Sequence, residues 1–369
     1  MAIGFPVKEN YVTGEVLTAA NMNDLSGTVN LLSGTRLASG KNAFINGNFG
    51  VWQRGTSVSV AASATATYTS DRFALTTQAN QASTVSRQST NDTTNLPTIQ
   101  YCARVQRNSG QTGTGSMIFG QSLETSNSIR YVGQSVTLSF YARKGADYSA
   151  TSSALSANIY TGTGTDQSRV AASYTGDAQA LTTSVTLTTT WQRFTVSGTI
   201  GATATELAVI FISSMTGTAS TNDYYEVTGV QLELGTTAST FQTATGTIQG
   251  ELAACQRYYI RYTSSVTNGP VTPVLGAAVN TTLADFYLAV PVQMRVQATA
   301  IDYSNLAAYT VSSAASYSSG TFVTAASVGY DPKLAQVRYT HGTAVFTQGA
   351  VQTLNGSSST NYIGFSAEL

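Results

Sequence analysis

The chain has a single histidine, His341, and any Ser-His-Asp chemistry would have to run through it. The imidazole of such a triad must take a proton from the nucleophile and return it to the leaving group. No Gly-x-Ser-x-Gly turn stands between a strand and a helix to present that serine, and Gly342 places the histidine in a turn. The two cysteines, Cys102 and Cys255, lie far apart in the chain, and with one histidine they do not make a zinc site of three or four nitrogen and sulfur ligands. They read as free, buried thiols of a protein folded in a reducing compartment. A glycosidase needs two carboxyl groups at a fixed separation, one of them held protonated by burial. Asp71, Glu124, Asp223, Glu226 and Glu233 are the acids that strands could bring together, although Glu226 and Glu233 sit in β-patterned runs and read as outward-facing. Hard oxygen ligands for a structural calcium could come from Asp71, Asp223 or the Asn46–Asn48 loop, without EF-hand spacing. No GxxxxGK[ST] loop is present. The expectation is a non-enzyme without a cofactor, with a structural calcium possible.

Tyrosine is the abundant chemical resource, with 20 copies. A phenol offers an apolar face for sugar C–H groups and a polar tip. Tyr258, Tyr259 and Tyr262 cluster, and Tyr303, Tyr309, Tyr317 and Tyr330 run through the C-terminal region, so these last four are the expected glycan contacts. Trp52 and Trp191 read as core residues.

Charged residues are only 10% of the chain, and 18 Lys and Arg balance 18 Asp and Glu. No basic cluster exists to displace counterions from phosphates, so nucleic acid is excluded as a partner. Polybasic attraction to a membrane is disfavoured for the same reason, and no run of 18 apolar residues exists to insert into one. The first residues carry Lys8 and Glu9 where a secretory apolar run would lie.

The elements that must position these residues are mainly strands. Residues 1–40 differ: Thr18 can cap a helix to about Leu32, with Met22, Leu25, Val29 and Leu32 at coiled-coil spacing. Two heptads cannot stand alone in water, so the stripe needs sister chains or another protein. Residues 41–245 read as one β-sandwich. Val136, Leu138 and Phe140 share one strand face, and Leu207–Ile212 is apolar on both faces, as a central strand must be. In Tyr225–Leu234 the apolar parity changes at Gly229, which predicts a β-bulge. Residues 246–260 form a helical joint, with Ile248, Leu252 and Cys255 as a second stripe that sister chains would bury. Gly250 weakens that helix by about 1 kcal/mol relative to Ala. Residues 261–369 return to strands. Phe286 to Val296 alternates over a long run with Pro291 on the opposite parity, which fits an edge strand or a bulge. Asn355-Gly356 reads as a turn and Asn361–Leu369 as a closing strand. The fold class is thus mainly β: two jelly-roll-like sandwiches, a short N-terminal helical anchor and a short linking helix.

Asn46-Gly47-Asn48-Phe49, Trp52-Gln53-Arg54-Gly55 and Asp71-Arg72-Phe73 together resemble the opening of a sandwich found in tail-fibre proteins of tailed bacteriophages. Gly133–Lys144, Trp191–Val196, Gln231–Gly235 and Glu251–Tyr259 follow in the same order, and the layout is similar to jelly-roll carbohydrate-binding modules. Gly14–Asn23 resembles the attachment ends of phage fibres, and Ala289–Arg295 and Gly364–Leu369 are also similar to such fibres. The resemblance implies a virion protein made in the host cytoplasm and released by lysis. It would be a homotrimer, attached to other virion proteins through residues 1–40, with the C-terminal sandwich facing a host-surface glycan. A purely structural virion spacer and a polysaccharide depolymerase are the alternatives.

Overall fold

The computed structural model describes residues 40–369, except 80, 265, 268, 312–314, 318–319 and 325–333. The predicted N-terminal helix with Met22, Leu25, Val29 and Leu32 lies outside the described residues, as does Tyr330.

The chain is mainly β, and its strands build two sandwiches. In the first, one six-stranded sheet runs β1 (Ser57–Val60), β4 (Ser83–Ser89), β5 (Tyr101–Arg107), β12 (Tyr224–Leu234), β7 (Ser135–Lys144), β10 (Gln192–Thr199). The other runs β2 (Thr67–Tyr68), β3 (Ala74–Thr77), β6 (Met117–Ser122), β11 (Glu206–Ser213), β8 (Ala154–Gly162), β9 (Ala178–Thr186). In the second sandwich, β13 (Tyr259–Thr263), β22 (Tyr362–Ser366) and β16 (Ala300–Tyr303) form a three-stranded sheet. It faces a seven-stranded sheet in the order β18 (Ala315–Tyr317), β17 (Leu306–Thr310), β21 (Val351–Gly356), β14 (Gly269–Ala278), β15 (Leu283–Ala289), β20 (Leu334–Thr340), β19 (Thr321–Thr324). Among the described residues there are two short α-helices, α1 (Thr125–Ser128) and α2 (Ile248–Gln256).

Alternation explains the first core. Val136, Leu138 and Phe140 on β7 enter it together with Leu207, Val209 and Phe211 on β11, and Phe140 meets Phe211 edge-on at 5.1 Å. The other face of β11 is also apolar because Val170 and Tyr174, from the loop before β9, cover Ala208 and Ile210. The outer face of β5 is closed similarly, by Leu96, Ile99 and Trp191 around Cys102, with Phe241 packed against them. Both tryptophans are therefore internal. The bulge lies where parity placed it: pairing of β12 with β7 shifts register between Thr228 and Gln231, and Gly229 has φ +59°.

The second sandwich has its own core, in which Ile260, Ile363 and Phe365 of the small sheet meet Phe286, Leu288, Val337 and Tyr339 of the large one. Two predicted strand features differ here. β15 stops at Ala289, ahead of Pro291, because proline cannot donate to the ladder. Val290 and Met294 still enter the core from irregular chain, whereas Val296 is exposed. Asn355-Gly356 ends β21, and the turn follows it.

The linking helix starts as predicted, with the Thr247 side chain accepting from the Gly250 N–H, but it ends at Gln256, and Tyr259 begins β13. Its stripe splits. Ile248 and Leu252 are exposed, while Cys255 is wholly buried inside its own chain. Equal helical spacing defines a face, and here that face is rotated so that only its last member turns inward.

Candidate functional site

Antiparallel register on the large C-terminal sheet places Tyr309 opposite Thr353 on one side and Ser316 on the other, and Ala307 opposite Asn355. Leu306, Ala308 and Leu354 point inward to the core, so by alternation Ala307, Tyr309 and Asn355 share the outer face. There they line a groove of about 620 Å³ with Asn305, Ser316 and Ser357. The Thr353 hydroxyl donates to the Asn355 carboxamide oxygen at 3.0 Å, which leaves the amide NH₂ as a donor for a ligand. One phenol, two amides and two hydroxyls, with no ionised group, are suited to a neutral hydroxylated ligand.

Among the described residues, Tyr309 is the one of the four predicted tyrosines that lines this groove. Tyr303 lies on β16, 40% exposed, with its ring edge-on to Phe322 at 4.9 Å. Tyr317 belongs to β18, and its side chain, like all of Tyr330, lies outside what is described.

The five acids are all buried, and none faces open solvent as a free carboxylate. Glu226 was expected to face outward; it does lie on the outer face of its sheet, but Arg104 at 2.6 Å and Arg143 at 2.5 Å enclose it. Those arginines themselves lie over aromatic rings, Arg104 at 3.9 Å from the centroid of Tyr224 and Arg143 at 4.7 Å from that of Trp191. Glu233 was also expected outward; Lys41 lies 3.2 Å away, and the Ser239 amide and hydroxyl donate to it. Asp223 pairs with the fully buried Arg107 at 2.8 Å, and Glu124 with Arg257 at 3.0 Å. Asp71 accepts from the Gln53 amide and side chain, both at 2.6 Å, and burial pushes its carboxyl above the usual range. Both oxygens of Asp71, and those of Asp223 between Arg107 and Ser149, are thus engaged by donors. Among the described residues no group of three or more His, Cys, Asp or Glu converges. Burial also pushes both thiols up.

Sequence reasoning missed the junction between the sandwiches. The Asn46 amide donates to Glu251 of α2 at 2.7 Å, and the Gln53 side chain donates to the Tyr259 carbonyl at 2.6 Å. Arg54 stacks 3.5 Å over the Tyr259 ring, and Arg72 lies 3.5 Å over Tyr258. Glu368 receives both arginines, Arg54 at 3.3 Å and Arg72 more closely. Burial, followed by the nearby Glu368 charge, lifts Tyr68 at this junction to about 12. Arg54 also opens onto a cleft of about 510 Å³ between the two sandwiches.

No protein-family model and no curated protein matches the chain. Solved structures that resemble it include carbohydrate-binding modules. A CBM4 module aligns with 36% of this chain and 71% of its own length, at 18% identity and a TM-score of 0.26. The C-terminal family 22 carbohydrate-binding module of Clostridium thermocellum Xyn10B aligns with 55% and 99%, at 9% identity and a TM-score of 0.31. The enzymatically active domain of bacteriophage CBA120 tailspike protein 4 aligns with 53% of this chain but 22% of its own, at 14% identity and a TM-score of 0.31. At these TM-scores the likenesses carry no argument, and the sandwich assignment rests on strand order and on the two cores.

Proposed function

We propose that this protein is a non-catalytic fibre subunit of a tailed-phage virion that recognises a host-surface glycan through its C-terminal sandwich. The observation that carries the reading is the neutral groove around Tyr309, with amide and hydroxyl groups ranged beside an aromatic side chain. Such a site binds weakly, and several copies on one particle gain strength by avidity. Residues 1–40 would attach the subunit to the virion as a homotrimer, with the exposed Ile248 and Leu252 against sister chains. The engaged state of the five buried acids favours recognition over depolymerase chemistry.

The test is competition. Purified protein in excess should bind cells of the propagation host and block phage adsorption, and Tyr309→Ala should weaken binding about tenfold, the scale of an interface aromatic. Light scattering should report a trimer. Folded trimer that leaves adsorption untouched would favour a second reading, a structural virion spacer. One observation supports that reading: the most recognisable motif residues join the two sandwiches rather than line the Tyr309 groove.

A further inference from the structure

The cleft at the junction differs in chemistry from the Tyr309 groove. Its walls are two sheet edges, β1 from the first sandwich and β16 from the second, which contribute Ser57–Ser59 and Ala300–Asp302. Edge strands carry backbone N–H and C=O groups without a neighbouring strand. Arg54 and Arg261 are the cations of the lining and Asp302 its one acid, so the lining has a net positive charge. The central carbon of each guanidinium lies 3.5 Å from the centroid of a tyrosine ring, Arg54 over Tyr259 and Arg261 over Tyr362, which restrains both cations before any ligand arrives. Arg261 donates to the Tyr259 hydroxyl at 2.9 Å and to Asp302 at 3.1 Å, so a carboxylate of the protein already occupies part of the fork. Asp302 is 44% exposed, the position of a group that an incoming anion could displace.

We propose that this cleft binds the carboxylate of an acidic sugar, with Arg261 and Arg54 as the anion donors and the edge-strand backbones and serines for the sugar hydroxyls. The site is independent of the Tyr309 groove. Asp302 competes with the ligand for Arg261.

The test is calorimetric titration of the full chain with tetragalacturonate and with its carboxyl-reduced, neutral counterpart at low salt. The acid should bind about tenfold more tightly than the neutral sugar, because charge-assisted hydrogen bonds are roughly twice as strong as neutral ones. The preference should shrink as salt screens the charges. Arg261→Gln should abolish it. Asp302→Asn should tighten acid binding severalfold, a gain that loss of folding cannot mimic. Tyr309→Ala should leave acid binding unchanged while weakening cell binding, so failure of either site is read separately. Equal binding of the two sugars, no binding of either, or unchanged affinity in Asp302→Asn would overturn the proposal.

Discussion

Replacing Glu368 with alanine tests whether the junction holds the first sandwich as well as joining the second to it. The Glu368 side chain is 4% exposed, Arg72 is 1% exposed and Arg54 is 11% exposed. Without Glu368, two guanidinium groups lose the carboxylate they share, and Asp71 is left as the nearby acid acting on Arg54. Arg72 keeps the Ser122 carbonyl at 2.8 Å and the face of Tyr258, but neither carries a full negative charge. Removing one partner of a buried pair costs about 3–5 kcal/mol, and the partial opening at Arg54 places this case near the lower end, about 3 kcal/mol. Trp52 and Trp191, both buried in the first sandwich, make urea unfolding followed by tryptophan fluorescence a reporter of that sandwich alone. With a urea slope of about 2–3 kcal/mol/M, the midpoint should fall by about 1 M or more. Glu368→Gln keeps an acceptor and should lose less. Arg72→Met combined with Glu368→Leu should recover much of the loss, because apolar replacements of a buried pair are often neutral. A shift below about 0.3 M for Glu368→Ala, or strict additivity of the two positions, would refute the reasoning.

Gly229→Ala should destabilise the first sandwich by about 1–3 kcal/mol, since φ is +59° and a Cβ would lie 2.8 Å from the Tyr141 ring and 2.9 Å from Ile99. The same fluorescence midpoint measures it, and an unchanged midpoint would remove the bulge argument. For Glu233, burial works to raise the carboxyl, but hydrogen bonds from Ser239, Gln231 and Lys41 together outweigh it and hold it below its usual value near 4.5. A carboxyl lowered on folding contributes stability fully above its unfolded value and loses it as pH falls through the folded one. Unfolding free energy should therefore drop between about pH 6 and about pH 3, and Ser239→Ala should make that drop shallower. An identical profile in the variant would contradict the assignment.

Local pattern made some of this structure legible. β11 could be read as central because Leu207–Ile212 has no polar face, the bulge because parity changes at Gly229, and α2 because Ile248, Leu252 and Cys255 recur at helical spacing. Features depending on distant chain could not be read in this way. Glu226 looked outward-facing because its alternation is ordinary, and its partners Arg104 and Arg143 lie 122 and 83 positions away. The second face of β11 owes its burial to Val170 and Tyr174, loop residues with no period to announce them. Helical spacing grouped Ile248, Leu252 and Cys255 but carried no information about which member turns inward. Tyrosine content pointed to the C-terminal region, and cross-strand register then placed Tyr309 beside Asn355 and Ser316 and kept Tyr303 apart.

The motif residues with the most recognisable order meet at one place. Asn46 reaches Glu251, Gln53 reaches Asp71 and Tyr259, Arg54 and Arg72 cover Tyr259 and Tyr258, and both arginines end on Glu368. Physical necessity explains the pattern. A buried polar junction demands a donor for every acceptor and a charge for every counter-charge, so residue types at many positions are tied together. Gly47 belongs to the same set, since a side chain there would collide with the Val230 carbonyl. A shallow groove of neutral amides and hydroxyls imposes no such mutual constraint, because water can satisfy each group when the ligand is absent. Recognisable sequence in this chain therefore marks how it is held together, while the groove that we read as ligand-facing leaves almost no motif. Substitutions at Arg54, Arg72 or Asp71 should reach any binding assay through stability, so a loss of binding there identifies a contact only when the unfolding midpoint is unchanged.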